Sequence, residues 1–173
     1  YTSPPWSGSG NIGAALGEDV IAQTYRFTVN GEDREVSARP DLPLIYVLRN
    51  QLGLTGTHYG CGLEQCGACM VLVDDEAVYA CTRTMDSVAN KSVLTMEGLG
   101  TREAPHPLQQ AFMEEQAGQC GYCLSGILIS AKALLDRNPN PSRSEIATAL
   151  DGHLCRCGAH TRIIRAIERA ART

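Results

Sequence analysis

The sequence predicts an α+β protein, in which a small sheet domain over residues 25–98 is followed by an all-α four-helix bundle over residues 107–173. Three observations predict this class. Apolar residues alternate with polar ones in the first half of the chain and recur with helical spacing in the second half. Glycines and prolines in and beside residues 99–106 mark this stretch as a linker between the halves: Gly98, Gly100, Pro105 and Pro107. The eight cysteines form two groups, with four in each predicted domain.

Composition excludes several classes of function. With 43% hydrophobic residues among 173, the chain can bury a core without disulfides. The net charge of −4 and the lack of a basic cluster argue against a nucleic-acid partner. The longest apolar stretch, residues 124–135, is shorter than the ~20 residues of a membrane span and contains Lys132. We therefore expect no transmembrane segment in this chain.

Residues 1–24 contain many proline, glycine and serine residues and predict an extended N-terminal arm. Trp6, the only tryptophan, is expected to anchor this arm on a partner, and a disordered tail is the alternative. Because the sequence starts at Tyr1 and not at Met, a removed leader is one interpretation, and a sequence that begins inside a longer chain is the other.

The sheet domain begins with residues 25–29, whose alternation is typical of a half-buried strand. Asn30-Gly31 then predicts a hairpin turn into a second strand. Pro43 opens a helix with one apolar face, and Gly53 ends it. The remaining strands are predicted over residues 32–37, 70–73, 77–81 and 92–96.

The second domain contains four predicted helices with short connections, which is typical of a bundle. Proline begins the first of them, and Ser142 with Glu145 forms a capping box for the third. The four helices are predicted over residues 107–117, 124–137, 142–150 and 161–171.

Four cysteines of the first domain follow the C-x4-C-x2-C…C spacing of a plant-type [2Fe–2S] cluster. They are Cys61, Cys66, Cys69 and Cys81. Four thiolates must converge on a small anionic core, so the backbone has to wrap it closely. Gly60, Gly62 and Gly67 remove Cβ atoms there and permit positive φ, which lets successive N–H groups point at the sulfurs. The pattern predicts a first [2Fe–2S] cluster.

The second group places Cys120 and Cys123 between the first two helices, and Cys155 and Cys157 between the last two. In an antiparallel bundle these connections lie at the same end, so four thiolates can meet there. Disulfides are disfavoured because cysteines two or three residues apart close strained rings. Zinc is an alternative for this group in isolation, whereas a Rieske centre would require paired histidines. The first group favours a second [2Fe–2S] cluster, which then uses all eight cysteines.

Three histidines lie near the cysteines: His58 before the first loop, and His153 and His160 around the second. With eight thiolates present, we expect these histidines to support the centres or to lie at the surface, not to bind metal. Arg156 lies between two cysteines and could offset cluster charge or bind a partner's carboxylate or phosphate. A solvated arginine is the alternative.

From Tyr25 onward, the chain resembles the iron–sulfur small subunit of the molybdenum hydroxylases, the xanthine oxidase and aldehyde oxidoreductase family. Three motifs carry this resemblance: Gly60-Cys61…Gln65-Cys66-Gly67-Ala68-Cys69, Gln119-Cys120-Gly121-Tyr122-Cys123 and Leu154-Cys155-Arg156-Cys157-Gly158. The resemblance implies a plant-type ferredoxin-like (β-grasp) domain followed by a helical [2Fe–2S]-binding domain.

The resemblance also implies the partners. The bundle cluster lies nearer the molybdopterin, which a separate large catalytic subunit binds. Cys157 is then a ligand close to the pterin, and Gln119 matches a glutamine that reaches this cofactor. The first cluster passes electrons outward, and no residue of this chain is catalytic.

The loop sequence departs from the family at Leu63-Glu64-Gln65, where Gly or Ser is frequent. This form resembles subunits of aldehyde- and N-heteroaromatic-oxidising members whose electrons go to cytochrome c domains. A multihaem cytochrome c is therefore the expected electron acceptor, and a flavoprotein is the alternative. Glu64 adds negative charge beside the first cluster, which should lower its reduction potential. The long arm favours a periplasmic enzyme, membrane-associated through partner subunits, over a cytoplasmic one.

The predicted function is electron transfer in a molybdenum-dependent aldehyde oxidoreductase that uses water as the oxygen donor. Electrons pass from molybdopterin through two [2Fe–2S] clusters to haem c or flavin. Within the family, the alternative is a hydroxylase of an N-heterocycle such as nicotinate or isoquinoline. Outside it, the alternatives are a free-standing ferredoxin-like carrier and a zinc-bearing binding module.

Overall fold

The computed structural model describes residues 21–173, so Trp6 and most of the predicted N-terminal arm lie outside the described residues. The sheet domain and the helical domain both have their own core, as the sequence predicts. The elements are β1 Gln23–Val29, β2 Glu32–Ala38, α1 Leu44–Tyr46, β3 Met70–Val73, β4 Glu76–Tyr79, β5 Ser92–Leu94, α2 Met96–Leu99, α3 Pro107–Glu114, α4 Leu124–Arg137, α5 Arg143–Ala149 and α6 His160–Ala170.

The five strands form one mixed sheet in the order β2-β1-β5-β3-β4. β1 pairs with β2 in antiparallel fashion and with β5 in parallel, while β3 is antiparallel to both of its neighbours. The predicted hairpin is confirmed: Val29 pairs with Glu32, and Asn30 and Gly31 have φ of 54° and 82°. Positive φ at both turn residues matches the twist of the flanking strands.

The predicted helix after Pro43 is less regular than expected. α1 continues as a π-helical turn, Val47–Gln51, in which the Leu52 N–H donates to the Val47 carbonyl at 3.0 Å. Val47 and Leu48 of this turn are fully buried, in the same core as Leu44 and Ile45 of α1.

Two strands end earlier than predicted. The returning strand β4 stops at Tyr79, so Cys81 lies in the turn beyond it and not in the strand. The last strand β5 stops at Leu94 because the side-chain oxygen of Asn30 accepts the Thr95 N–H at 2.9 Å. This hydrogen bond replaces a strand partner, and the short helix α2, which the sequence did not predict, begins at Met96.

The four predicted bundle helices are confirmed as α3 to α6, although α3 ends at Glu114 and not near residue 117. Their core is formed by fully buried side chains, among them Leu108, Ile127, Ile146, Ile163 and Ile167. The capping box is also present, since the Glu145 N–H donates to the Ser142 hydroxyl and the Glu145 carboxylate accepts the Ser142 N–H. Over residues 21–173, every helix is too short or too polar to cross a membrane.

Helix α4 joins the two domains. Its residues Ile129 and Ala133 are buried against Met70 and Leu72 of β3. One end of α4 follows Cys123, and one end of β3 follows Cys69. This packing therefore brings the two cysteine-bearing ends of the domains close to each other.

Candidate iron–sulfur centres

Three cysteines of the first group, Cys61, Cys66 and Cys69, lie on the loop between the π-helical turn and β3, and Cys81 lies in the turn after β4. The backbone N–H groups of Leu63 and Gln65 both point at the Cys61 sulfur, at 3.3 and 3.2 Å. The Cys61 N–H points at the Cys66 sulfur at 3.3 Å. Successive N–H groups aimed at sulfur form the anion nest that the glycine pattern predicts.

Close packing around Cys66 explains one of the loop glycines. A Cβ atom on Gly60 would lie 2.5 Å from the Cys66 sulfur, which is far inside van der Waals contact. Gly62 and Gly67 instead supply positive φ, at 69° and 72°. The loop can thus approach a small anionic group without side-chain obstruction.

The environment of the thiols fits an anionic metal group. Burial acts to raise the pKa of Cys61, but hydrogen bonds from the N–H groups of Leu63 and Gln65, together with those from Cys66, outweigh it and lower this pKa to about 7. Burial raises the pKa of Cys69 to about 12. A buried thiol of this kind loses its proton readily only when a metal cation replaces it.

The second group meets at one end of the bundle, as the positions of the inter-helix connections predict. The Cys120 and Cys157 sulfurs lie 3.5 Å apart, although these residues come from different loops. Cys123 is buried directly before α4, and burial followed by the neighbouring Cys155 raises its pKa to about 12. The two loops therefore present thiols of the same kinds as the first group: buried ones and more exposed ones.

All eight cysteines lie within the described residues, and each has a free thiol. Their sulfurs are therefore all available as metal ligands.

The histidines near the centres make contacts within the protein. The Nδ1 atom of His58 lies 2.7 Å from the Tyr122 carbonyl oxygen, and the two rings stack at 4.5 Å. His153 is buried, with Nε2 at 2.7 Å from the Ser130 hydroxyl, and burial lowers its pKa to about 4. Its ring packs where a Cβ atom on Gly67 would otherwise lie, 2.2 Å from Nδ1.

Contacts between the two cysteine loops were not predicted from the sequence. The Tyr122 hydroxyl donates to the Tyr59 carbonyl at 2.6 Å, and the Ser125 hydroxyl donates to the Ala68 carbonyl at 3.2 Å. A Cβ atom on Gly126 would lie 1.8 Å from the Gly67 carbonyl oxygen. The signal that could have found this interface is the Ser-Gly pair inside the apolar helix α4.

The remaining predicted site residues lie at the end of the bundle that carries the second cysteine group, which we call the open end. Gln119, Cys120 and Arg156 are exposed, and Cys157 is partly buried. Their side chains therefore face away from the bundle core, where a second protein can reach them. Their roles toward a partner's cofactor stay predictions.

The sheet domain and the helical domain each hold one group of four thiols. Together they define the class of protein: an iron–sulfur electron carrier with two clusters. Comparison with known proteins agrees with this class. Residues 27–95 match the 2Fe-2S iron-sulfur cluster binding domain family, and residues 95–168 match the [2Fe-2S] binding domain family.

Two relatives match almost end to end. The chain is 53% identical over 150 residues to one of the subunits of nicotinate dehydrogenase from Pseudomonas putida, covering 87% of this chain and 96% of that protein. It is 49% identical over 147 residues to the alpha subunit of isoquinoline 1-oxidoreductase from Brevundimonas diminuta, covering 84% and 96%.

Solved structures show the same fold. Quinoline 2-oxidoreductase from Pseudomonas putida superposes with a TM-score of 0.84 at 36% identity, over 87% of this chain and 94% of that one. Aldehyde oxidoreductase from Desulfovibrio desulfuricans also gives 0.84, at 43% identity, over 86% of this chain but only 17% of that chain. The chain belongs to the family of iron–sulfur small subunits of molybdenum hydroxylases, and it binds two [2Fe–2S] clusters.

Proposed function

We propose that this chain carries electrons from the molybdopterin centre of a large partner subunit, through the bundle cluster and then the first cluster, to a separate electron acceptor. One observation carries the proposal: the Leu154 N–H donates to the Cys66 carbonyl at 3.1 Å. Cys66 belongs to the first cysteine group, and Leu154 precedes Cys155 of the second. The two centres are therefore held on facing loops, as a relay requires.

The chain's own residues hold and shield the centres. Hydroxylation of a substrate with water releases two electrons and two protons, whereas each [2Fe–2S] cluster carries one electron at a time. The thiolates would bind the irons of the two clusters, and the N–H groups of Leu63 and Gln65 would stabilise negative charge on sulfur. The buried positions of Cys69 and Cys123 would keep water from one side of each cluster. At the open end of the bundle, Gln119 and Cys157 are proposed to face the partner's molybdopterin.

The substrate belongs to the large partner, and two classes are supported. The relatives that match this chain over nearly their whole length are named for nicotinate and isoquinoline, which favours an N-heterocycle. An aldehyde is the second candidate, because the aldehyde oxidoreductase of Desulfovibrio desulfuricans is 43% identical over its matching part. Activity of the purified complex toward nicotinate, isoquinoline and benzaldehyde discriminates these classes.

The acceptor and the location are proposals of the same kind. A multihaem cytochrome c is the proposed acceptor, with a flavoprotein as the alternative, on the form of the Leu63-Glu64-Gln65 loop. The proposed location is the periplasm, at the membrane through partner subunits, and the cytoplasm is the alternative. Cell fractionation and the haem and flavin content of the purified complex test both.

Co-purification is the decisive experiment for the relay. The tagged chain should bring down a large molybdenum-containing protein, and it should contain about four irons with two distinct [2Fe–2S] EPR signals on reduction. Substrate alone should reduce both centres. An active monomer without a molybdenum partner would instead favour a free-standing carrier, and a single EPR signal would contradict the two-centre relay.

A further inference from the structure

Glu64 forms a clasp over the first cysteine group. Its carboxylate accepts a hydrogen bond from the Thr82 hydroxyl. Glu64 lies between the ligands Cys61 and Cys66, and Thr82 directly follows the ligand Cys81. A single side-chain contact thus connects the cysteine-rich loop with the segment that brings the fourth thiol back, and we call this contact the Glu64–Thr82 clasp.

Glu64 also has an unusual backbone conformation. Its φ is +59°, a left-handed conformation that is unfavourable for residues with a Cβ atom. The residues on both sides, Leu63 and Gln65, are the two whose N–H groups point at the Cys61 sulfur. The left-handed turn at Glu64 is therefore part of the nest, and the clasp holds a carboxylate at that turn.

We propose that the Glu64 carboxylate, held in place by Thr82, sets the reduction potential of the first cluster below the value that the same loop would give with a neutral side chain. Reduction adds one electron to the cluster and changes no bond to the protein. A negative charge fixed beside the cluster disfavours that added electron. Glu64 is exposed, so water and salt screen the effect and keep it modest.

The thiol-bearing loop could be positioned by the clasp without any electrostatic effect, so the test must separate charge from geometry. Glu64→Gln removes the charge and keeps a hydrogen-bond acceptor for Thr82. Thr82→Val keeps the charge and releases the carboxylate, whereas Thr82→Ser keeps both charge and hydroxyl. Glu76→Gln, at an exposed residue at the start of β4 and three residues before Tyr79, is the matched control for net charge.

The measurement is an EPR-monitored redox titration of the whole complex, with dithionite as the electron donor. Glu64→Gln should favour reduction of the first cluster by about threefold to tenfold, and tenfold corresponds to about 59 mV for a one-electron step. The potential of the bundle cluster should stay unchanged in every variant. Thr82→Val should give a smaller rise, Thr82→Ser and Glu76→Gln none, and the double variant Glu64→Gln with Thr82→Val no more than Glu64→Gln alone.

Three results would overturn the proposal: an unchanged first-cluster potential in Glu64→Gln, an equal shift in Glu76→Gln, or an equal shift of both clusters. Dithionite supplies the electrons, so the titration of the complex does not depend on substrate turnover at the molybdenum partner. Failure of this inference and failure of the proposed relay are therefore separate outcomes, provided that both EPR signals are present at wild-type intensity.

Discussion

The backbone N–H of Leu154 donates a 3.1 Å hydrogen bond to the carbonyl oxygen of Cys66. Leu154 is bonded to Cys155, so a proposed ligand of the first centre is connected with a proposed ligand of the second by covalent bonds and one hydrogen bond. The Leu154 side chain itself is 64% exposed and contributes little to packing. Within this chain, the backbone contact is therefore what connects Leu154 with the first cysteine group.

Removing this N–H should slow electron transfer between the clusters. In Leu154→Pro the donor is absent, and the loss of one hydrogen bond should also lower the free energy of unfolding by about 0.5–1.5 kcal/mol. Stopped-flow reduction of the first cluster after substrate addition measures the transfer rate. Leu154→Ala keeps the N–H and should transfer electrons at the wild-type rate.

Proline also restricts the backbone before it, so the distance between the clusters must be checked independently. The magnetic coupling between the two reduced clusters in EPR reports that distance. A slower rate with unchanged coupling supports a route through this hydrogen bond. A wild-type rate in Leu154→Pro with unchanged coupling would show that the route does not matter.

Gly126→Ala should separate the two domains. The added Cβ atom would lie 1.8 Å from the Gly67 carbonyl oxygen, and a backbone atom cannot swing aside as a flexible side chain can. We expect a net destabilisation of about 1–3 kcal/mol, even though alanine favours the helix by about 1 kcal/mol. The apparent midpoint of thermal unfolding and the inter-cluster magnetic coupling should both decrease.

Gly53→Ala is the control for this substitution. An added Cβ atom there meets nothing within 4 Å, but φ is +69°, so only a backbone cost of about 1–2 kcal/mol is expected. The magnetic coupling should not change in this variant. A Gly126→Ala protein with wild-type coupling and stability would mean that the observed close approach is not needed.

The sequence predicted those parts of the protein that local rules determine. Asn30-Gly31 favours a hairpin turn with positive φ at both residues. Ser142 and Glu145, three residues apart, satisfy each other's N–H groups at the start of a helix. The cysteine spacing predicts two metal groups. Each of these signals is complete within a few residues. They sufficed for the order of the domains and for the location of the cysteine groups.

The interface between the domains was not predictable in the same way. Ser125 donates to the carbonyl of Ala68, 57 residues earlier in the chain. The Gly67 carbonyl lies so close to Gly126 that a Cβ atom at this position would collide with it. In the sequence Ser125 and Gly126 only interrupt an apolar helix. A single sequence contains no pairing information for contacts at this separation, so the facing of the two loops emerges only from the folded structure.

His106 should make the start of helix α3 sensitive to pH. Its Nδ1 atom accepts the Leu108 N–H at 3.2 Å, which requires a neutral ring. Burial lowers the pKa of His106, and the nearby charge of Lys132 lowers it further, while Asp136 opposes this. The folded pKa thus lies below the unfolded value of 6.5, so the stabilising effect is complete above pH 6.5 and is lost as the pH falls below it.

His106→Asn isolates this effect, because asparagine is a good N-cap that does not titrate. The difference in apparent thermal midpoint between wild type and variant should be constant above pH 6.5 and should move in favour of the variant at lower pH. Scans at one heating rate between pH 8 and pH 5.5 measure it. A difference that does not depend on pH would show that His106 stays neutral in both states or titrates equally in both.

Cys157→Ser should interrupt the relay at the bundle cluster and leave the first cluster intact. Cys157 lies at the open end of the bundle beside the Cys120 sulfur, in a different domain from the first cysteine group. Its loss removes one thiolate from the bundle cluster only, so substrate should no longer reduce either cluster, while dithionite should still reduce the first one.

Cys61→Ser is the matched variant, in which substrate should still reduce the bundle cluster. Visible and EPR spectra after anaerobic addition of substrate, followed by dithionite, distinguish the two. Normal substrate-driven reduction of both clusters in Cys157→Ser would contradict the proposed order, because electrons would then reach the first cluster without passing the intact bundle site.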